Sequence, residues 1–220
     1  MTYDWHVLVQ YHLMLLEGLQ ATILITLTAL GTGLVLGLGL CAASLRRRGW
    51  LYLSARTYID LLRTVPEMVL IFWVYFCFPP LLDWTLSGIA SGTLALSLVA
   101  AAYLSEILRA GIESLPKGQT DAAHALGLGF YARWRFIILP QAVRRMMPAF
   151  VNYLTELLKN STLLSAIGVG ELVYQASTAG AQTFRYMEFL SAIGIGFFVV
   201  IFPLSLYVRQ AESRRIRTRR

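Results

Sequence analysis

The sequence predicts an all-α membrane protein with five transmembrane helices, and three observations carry that fold class. The 220 residues are 57% hydrophobic and only 14% charged, with a mean hydropathy of +0.61, whereas a soluble domain carries about a quarter charged residues. Uncharged runs near the roughly 20 residues that cross a bilayer recur along the whole chain. The net charge of +7 sits beside those runs, as topology signals do, so it points to a membrane and not to nucleic acid. Cys41 and Cys77 are isolated within apolar runs, and His6, His12 and His124 are scattered. Neither a disulfide framework nor a metal site is expected. The first basic residue is Arg46, so no cleaved signal peptide is expected. We read residues 1–220 as a single transmembrane domain.

The first span is expected over 19–45, closed by Arg46, Arg47 and Arg48. Its Gly33 and Gly37 stand four apart, a spacing that lets a second helix approach closely. The preceding segment, 5–17, has a mixed face and is expected to lie along the outer surface. The second span is expected over 57–78, ended by Pro79 and Pro80. Within it, Asp60 and Arg63 are three apart and suit a local ion pair. Glu67, about ten residues in from Thr57, falls near the bilayer midplane on a straight helix. A carboxylate there must face the bundle interior or a cavity.

The third span, 85–104, is rich in small residues and leads into a polar island, 105–141, that holds Glu106 and Arg109. The fourth, 146–167, follows Pro140, with Arg144 and Arg145 at headgroup level. It carries Thr155, Glu156, Lys159, Asn160, Ser161 and Thr162 near its middle and is broken by Gly168 and Gly170. A partly polar connection leads to the fifth span, 189–208, and a basic tail. Lys and Arg concentrate after the first span, in the island and in the tail. The positive-inside rule therefore puts the N-terminus outside and both the island and the C-terminus inside.

Within the island, Pro116 and Lys117 open a short helix with Asp121 in its opening turns, where the helix dipole favours a carboxylate. Gly127 and Gly129 end it. A second helix, 130–138, is apolar on one side with Arg133 and Arg135 on the other. Such a pair can dock in a partner's groove or lie on lipid headgroups.

Asp121-Ala122-Ala123, Gly127, Ile137, Leu139 and Pro140 resemble the "EAA" loop (EAA-x3-G-x9-I-x-L-P) of binding-protein-dependent ABC transporter permeases, with Asp in place of the usual Glu. The stretches YIDLLRTVPEMVLIFWVYF, AAYLSEILRAGIESLPKGQ, ILPQAVRRMMP and LLKNSTLLSAIGVGEL are similar to the histidine/glutamine/glutamate-type subgroup that moves polar amino acids. The resemblance runs from about Gly18 to Val208. It implies the type I importer permease fold in a bacterial inner membrane. It also implies a dimer of identical or paralogous permease chains, a cytoplasmic ABC ATPase dimer, and an external solute-binding protein that delivers an amino acid. ATP and Mg belong to the ATPase; this chain has no phosphate-binding Gly-Lys pattern, no catalytic set and no cofactor.

By the same resemblance Asp121, Ala122, Ala123, Gly127, Arg133, Arg135, Leu139 and Pro140 form the coupling element, with Asp121 pairing with Arg133, Arg135 or a basic residue of the partner. The substrate pathway is expected near Glu67, Thr155, Glu156, Asn160, Ser161 and Thr162, where carboxylates and amide oxygens suit an ammonium, and hydroxyls or Lys159 a carboxylate. Glu156 with Lys159, and Thr155 and Ser161 with their own backbone, have local alternatives. Glu67 departs from the family, whose residue after that proline is commonly apolar, and suggests a cationic amino acid. An opine importer, an ion-coupled secondary carrier, a membrane enzyme and an exporter are the competing readings. The carrier lacks the expected internal repeat, the enzyme a convergent catalytic set, and the exporter is disfavoured by the binding-protein-type motifs.

Overall fold

The computed structural model describes residues 4–83 and 85–217, and every regular element among them is helical. A short α1 (His6–Gln10) turns at Tyr11 into α2 (His12–Ser44), 33 residues long. Residues 12–17, expected to lie apart on the surface, are instead the first turns of α2. No proline or cap interrupts the ladder there, and α2 is held at that end by a later segment, with the Leu172 N–H donating to Thr22 Oγ1 at 3.1 Å.

The expected close approach at Gly33 and Gly37 is made with α6 (Gly88–Glu113). A Cβ on Gly33 would stand 2.5 Å from Ala100 Cβ, and one on Gly37 would stand 3.1 Å from the Ala101 carbonyl. The facing surface of α6 is correspondingly small, with Ala95, Ala100 and Ala101 all buried. Ser87 caps α6 by accepting from the Ala90 N–H at 3.2 Å. The helix does not stop at Leu104 but carries Glu106, Arg109 and Glu113 beyond the apolar stretch.

The second span is not the straight helix expected over 57–78. Between α3 (Trp50–Thr64) and α4 (Glu67–Phe72) the chain bends by 106°. Val65 and Pro66 are extended, with ψ of 132° and 130°. Proline clashes with a helical residue before it and donates no hydrogen bond, so the ladder stops there. Glu67 consequently opens a helix in place of sitting mid-helix, and the rise argument for its depth does not hold.

Three other prolines behave differently from expectation, for one shared reason. Before Pro79 and Pro80 the helix widens into a π turn, Trp73–Cys77, in which the Phe78 N–H reaches back to the Trp73 carbonyl. Helix α5 (Phe78–Leu82) then continues through both prolines and ends at Asp83, which is left-handed at φ 51°. Before Pro140, a π turn over Arg133–Ile138 joins α8 (Phe130–Ala132) to α9 (Leu139–Asn160), with the Leu139 N–H on the Trp134 carbonyl. A π turn inserts one residue in the ladder, and the missing proline donor falls where the register has already shifted. The expected second island helix and fourth span are therefore one continuous piece.

Helix α9 tightens into a 3-10 stretch, Ser161–Ile167, which ends at Gly168 with φ +75°. The connection beyond it is α10 (Leu172–Thr183), followed by α11 (Tyr186–Arg217). Among the described residues three helices, α2, α6 and the Tyr186–Val208 part of α11, are long and apolar enough to cross a membrane, or four if the bent pair counts as one span. Arg144, Arg145, Glu156 and Lys159 keep α9 from qualifying on composition. The main core joins Ile25, Ile71, Leu96, Leu104, Leu157 and Leu164, and a second cluster packs Val7 against Ala176, Ala179 and Phe189.

Overpacking a tight helix contact costs roughly 1–3 kcal/mol or more. Gly33→Leu is therefore expected to lower the thermal unfolding midpoint in detergent. Gly31→Leu, whose Cβ meets nothing within 4 Å, leaves the midpoint in place.

Candidate functional site

Helix α7 (Lys117–Ala125) projects between α6 and α8 and packs on the π turn that follows. Pro116 sets its start. Its end is a Schellman turn: Gly127 is left-handed at φ +69°, its N–H donates to the His124 carbonyl at 2.9 Å, and the Leu128 N–H donates to the Ala123 carbonyl at 3.1 Å. Glycine reaches that backbone region without a Cβ clash. Of the predicted coupling residues, Ala123 is buried, while Asp121, Ala122, Gly127, Arg135, Leu139 and Pro140 are exposed and Arg133 is half-buried. Ala123 thus anchors α7 to its own chain.

Asp121 pairs with neither arginine: no partner stands against it among the described residues. Arg133 lies over the Phe130 ring and meets the His124 imidazole, tying the last turn of α7 to α8. Arg135 lies over Phe136. Gln141 Nε2 donates to Gln119 Oε1 at 3.2 Å, and Arg145 donates to the Ser114 carbonyl at the end of α6. Around this frame Leu126, Phe130, Tyr131 and Phe136 are each more than two-thirds exposed. These large apolar side chains follow one another along a short stretch of chain and stand largely exposed.

A charged network lies beside it. Glu106, whose side chain is 16% exposed, takes Arg56 and Arg109 at 2.7 Å and Arg63 at 3.8 Å. Arg56 also meets Asp60 at 3.1 Å, Arg109 meets Glu113, and Glu113 meets Arg47 at 2.9 Å. The expected local pair of Asp60 with Arg63 is replaced by Asp60 with Arg56 and Arg63 with Glu106, because α3 lies along α6 and brings a stronger, less solvated carboxylate within reach. From Arg63 a stacked chain leads on: its guanidinium lies 5.2 Å from the Tyr103 ring centre, and Tyr103 stacks on Tyr153 at 5.2 Å and 19°.

Tyr153 lies near two of the expected pathway residues. Glu67 and Glu156 lie within Coulombic range of one another, and both lie within range of the Tyr153 hydroxyl. Neither carboxylate has a hydrogen-bond partner among the described residues, and Glu156 makes no ion pair there with Lys159. The hydroxyls take the local alternative: Thr155, Ser161 and Thr162 donate to the carbonyls of Asn152, Leu158 and Lys159 at 2.7, 2.8 and 2.6 Å. Ser161 is buried; Asn160 is half-buried and its amide has no partner among the described residues. Tyr103 and Tyr153 escaped the sequence reading, although each places a polar hydroxyl inside an apolar run. Glu106 and Arg109 were visible only as charges at helical spacing.

Glu171, at the turn before α10, is fully buried and caps that helix by accepting from the Val173 and Tyr174 N–H groups at 2.9 and 2.8 Å. Burial pushes its carboxyl up to about 7 from 4.5, against the pull of those two donors. A carboxyl raised on folding binds its proton more tightly in the native state, so stability falls as pH rises between those two values. Unfolding midpoints measured from pH 5 to pH 8 are expected to decline in the wild type and to decline less in Glu171→Gln. In the charged network, Glu106→Gln leaves three arginines without a full counter-charge. It is expected to cost on the order of 1–3 kcal/mol, a partly buried case, seen as a lower unfolding midpoint.

Residues 33–217 match the family described as "Binding-protein-dependent transport system inner membrane component". The chain is 37% identical over 207 residues to the "Arginine transport system permease protein ArtQ" of Bacillus subtilis (strain 168), covering 93% of each chain. It is 32% identical over 219 residues to the "Glutamate/aspartate import permease protein GltK" of Escherichia coli O157:H7, covering 96% of this chain and 98% of that one. Among solved structures it is similar to an amino acid ABC transporter crystallised with histidines, with a TM-score of 0.87, 30% identity, and coverage of 97% of this chain and 100% of that one.

Proposed function

The chain belongs to the family of binding-protein-dependent transport system inner membrane components, and from that membership we propose that it is the transmembrane permease subunit of an ATP-driven amino acid importer. Helix α7 is the observation that carries the reading. It is a nine-residue helix held on its own chain by Ala123, Arg133 and a left-handed Gly127, presenting Asp121, Ala122 and Leu126 outward. Its spacing is that of the family's coupling loop. A short exposed helix flanked by uncovered Phe130, Tyr131 and Phe136 suits a groove on a cytoplasmic ATPase dimer. The ATP and Mg act on that partner. The wider assembly is a second permease chain, identical or paralogous, with an external solute-binding protein. The topology is five spans, the broken α3–α4 piece and α9 included, with the N-terminus outside and α7 and the tail inside, in a bacterial inner membrane.

The substrate path runs by Glu67 and Glu156, with Asn160 and Tyr153 beside them. Two carboxylates that repel each other and have no protein cation against them among the described residues are stabilised by an arriving ammonium or guanidinium. This favours a cationic amino acid, and the likeness to an arginine permease supports it. Thr155, Ser161 and Thr162, whose donors are occupied by their own backbone, offer only acceptor lone pairs.

Three outcomes are expected. The chain reconstituted alone in liposomes moves no amino acid, whereas an ion-coupled carrier would. Purification of the expressed chain brings down an ATPase, and Gly127→Val, strained at positive φ, reduces the yield. In cells, Glu67→Gln and Glu156→Gln lower arginine and lysine uptake more than glutamine uptake; equal loss of all three removes the cationic preference but leaves the permease reading intact.

A further inference from the structure

A polar cavity of about 500 Å³ lies where α2 gives way to the loop before α3, lined by Ser44, Arg47, Tyr52, Arg56, Arg109 and Glu113. We propose that it binds a phosphate group at the membrane boundary.

Ser44 gives the first reason. Serines in this protein's helices regularly donate to a carbonyl one turn back, as Ser97 does to Thr93 and Ser105 to Ala102, the ordinary fate of a helical hydroxyl away from water. Ser44 does not. It is 3% exposed, and its hydroxyl has no partner among the described residues. An unmade hydrogen bond in a buried place costs free energy, and a ligand in the cavity that Ser44 lines would make it.

Charge gives the second. The network around the cavity joins Arg47, Arg56, Arg63 and Arg109 to Asp60, Glu106 and Glu113, four cations against three anions. Arg46 and Arg48, exposed on the same loop, add two more charges with no carboxylate against them among the described residues. The surplus after all internal pairing is positive, so the complementary ligand is an anion. Guanidinium forks with a nearby hydroxyl donor match tetrahedral phosphate oxygens. Arg47 sits at φ +58°, a backbone region unfavourable for a side-chain-bearing residue, while its guanidinium is held on Glu113 at the cavity's edge.

Position gives the third. Ser44 ends α2, the apolar 33-residue helix, so the cavity lies at headgroup depth, and exposed Val35, Leu36 and Leu38 precede it along the helix. A phosphate esterified in an anionic lipid reaches it from the bilayer; free phosphate reaches it from water.

The full chain, purified in detergent with whatever partner it retains and stripped of lipid, is titrated with phosphatidylglycerol, phosphatidylcholine or inorganic phosphate while the unfolding midpoint is followed. Phosphatidylglycerol is expected to raise the midpoint saturably and more than phosphatidylcholine. Ser44→Ala removes a hydroxyl that bonds nothing, so the ligand-free midpoint holds or rises, while half-saturation shifts by about fivefold or more. Arg47→Gln shifts half-saturation likewise while its ligand-free midpoint falls with the lost Glu113 pair, and Arg46→Gln, outside the lining, shifts half-saturation less than either. If inorganic phosphate alone reproduces the shift and Ser44→Ala abolishes it, the site stands with a soluble ligand. Equal shifts with the two lipids and none with phosphate, or an unaltered response in both Ser44→Ala and Arg47→Gln, overturn the proposal. No ATP or amino acid enters the measurement, so its failure leaves the transport reading standing.

Discussion

Helix α6 reaches its neighbours closely because each contact has a glycine on at least one side, and the rest of the molecule hangs on that approach. Gly33 and Gly37 of α2 meet Ala100, Ala101 and Ser105 at backbone distance. Gly92 of α6 accommodates Leu164 of the 3-10 stretch, and Gly111 accommodates Met146 of α9. In a membrane there is little hydrophobic drive between helices, so dispersion at close packing and polar contacts hold them together. Once α6 is fixed, Glu106 at its far end gathers Arg56, Arg63 and Arg109 and pins α3 alongside. Through Arg63, Tyr103 and Tyr153 the same contact line arrives at Glu67 and Glu156. The charged network, the stacked tyrosines and the carboxylate pair are successive levels of one stack.

The breaks in the helices set what each functional residue can do. Pro66 separates Arg63, bound into the network, from Glu67, which opens a new helix where backbone N–H groups are unfilled and a carboxylate is favoured. The π turn before Pro140 lets α8 and α9 run on as one helical stretch from Phe130 to Asn160, with Pro148 inside it. Ala123, His124 and Arg133 fasten α7 to the start of that stretch.

Much of this was legible in the residues and some was not. The apolar runs of α2, α6 and α11, the tight glycines, the short helix ended by Gly127 and the break at Gly168 follow from local chemistry. The bend at Val65–Pro66 was written in the X-Pro pair but was overridden by the long apolar run around it. The behaviour of Pro79, Pro80 and Pro140 was not legible, because a π turn leaves no compositional trace. Long-range partnerships were also hidden: Arg63 with Glu106, Tyr103 on Tyr153. Each depends on how α3 and α9 lie against α6, which spacing within one helix does not specify. Glu171 looked like one polar residue in a connection and proved to be a buried cap.

The central claim is that this permease is driven through α7. With Cys41 and Cys77 replaced by alanine, a single cysteine at Leu126 is expected to cross-link to an ATPase subunit in native membranes, and one at Phe198, on the exposed face of α11, is not. Cross-linking at Phe198 with none at Leu126 would contradict the account.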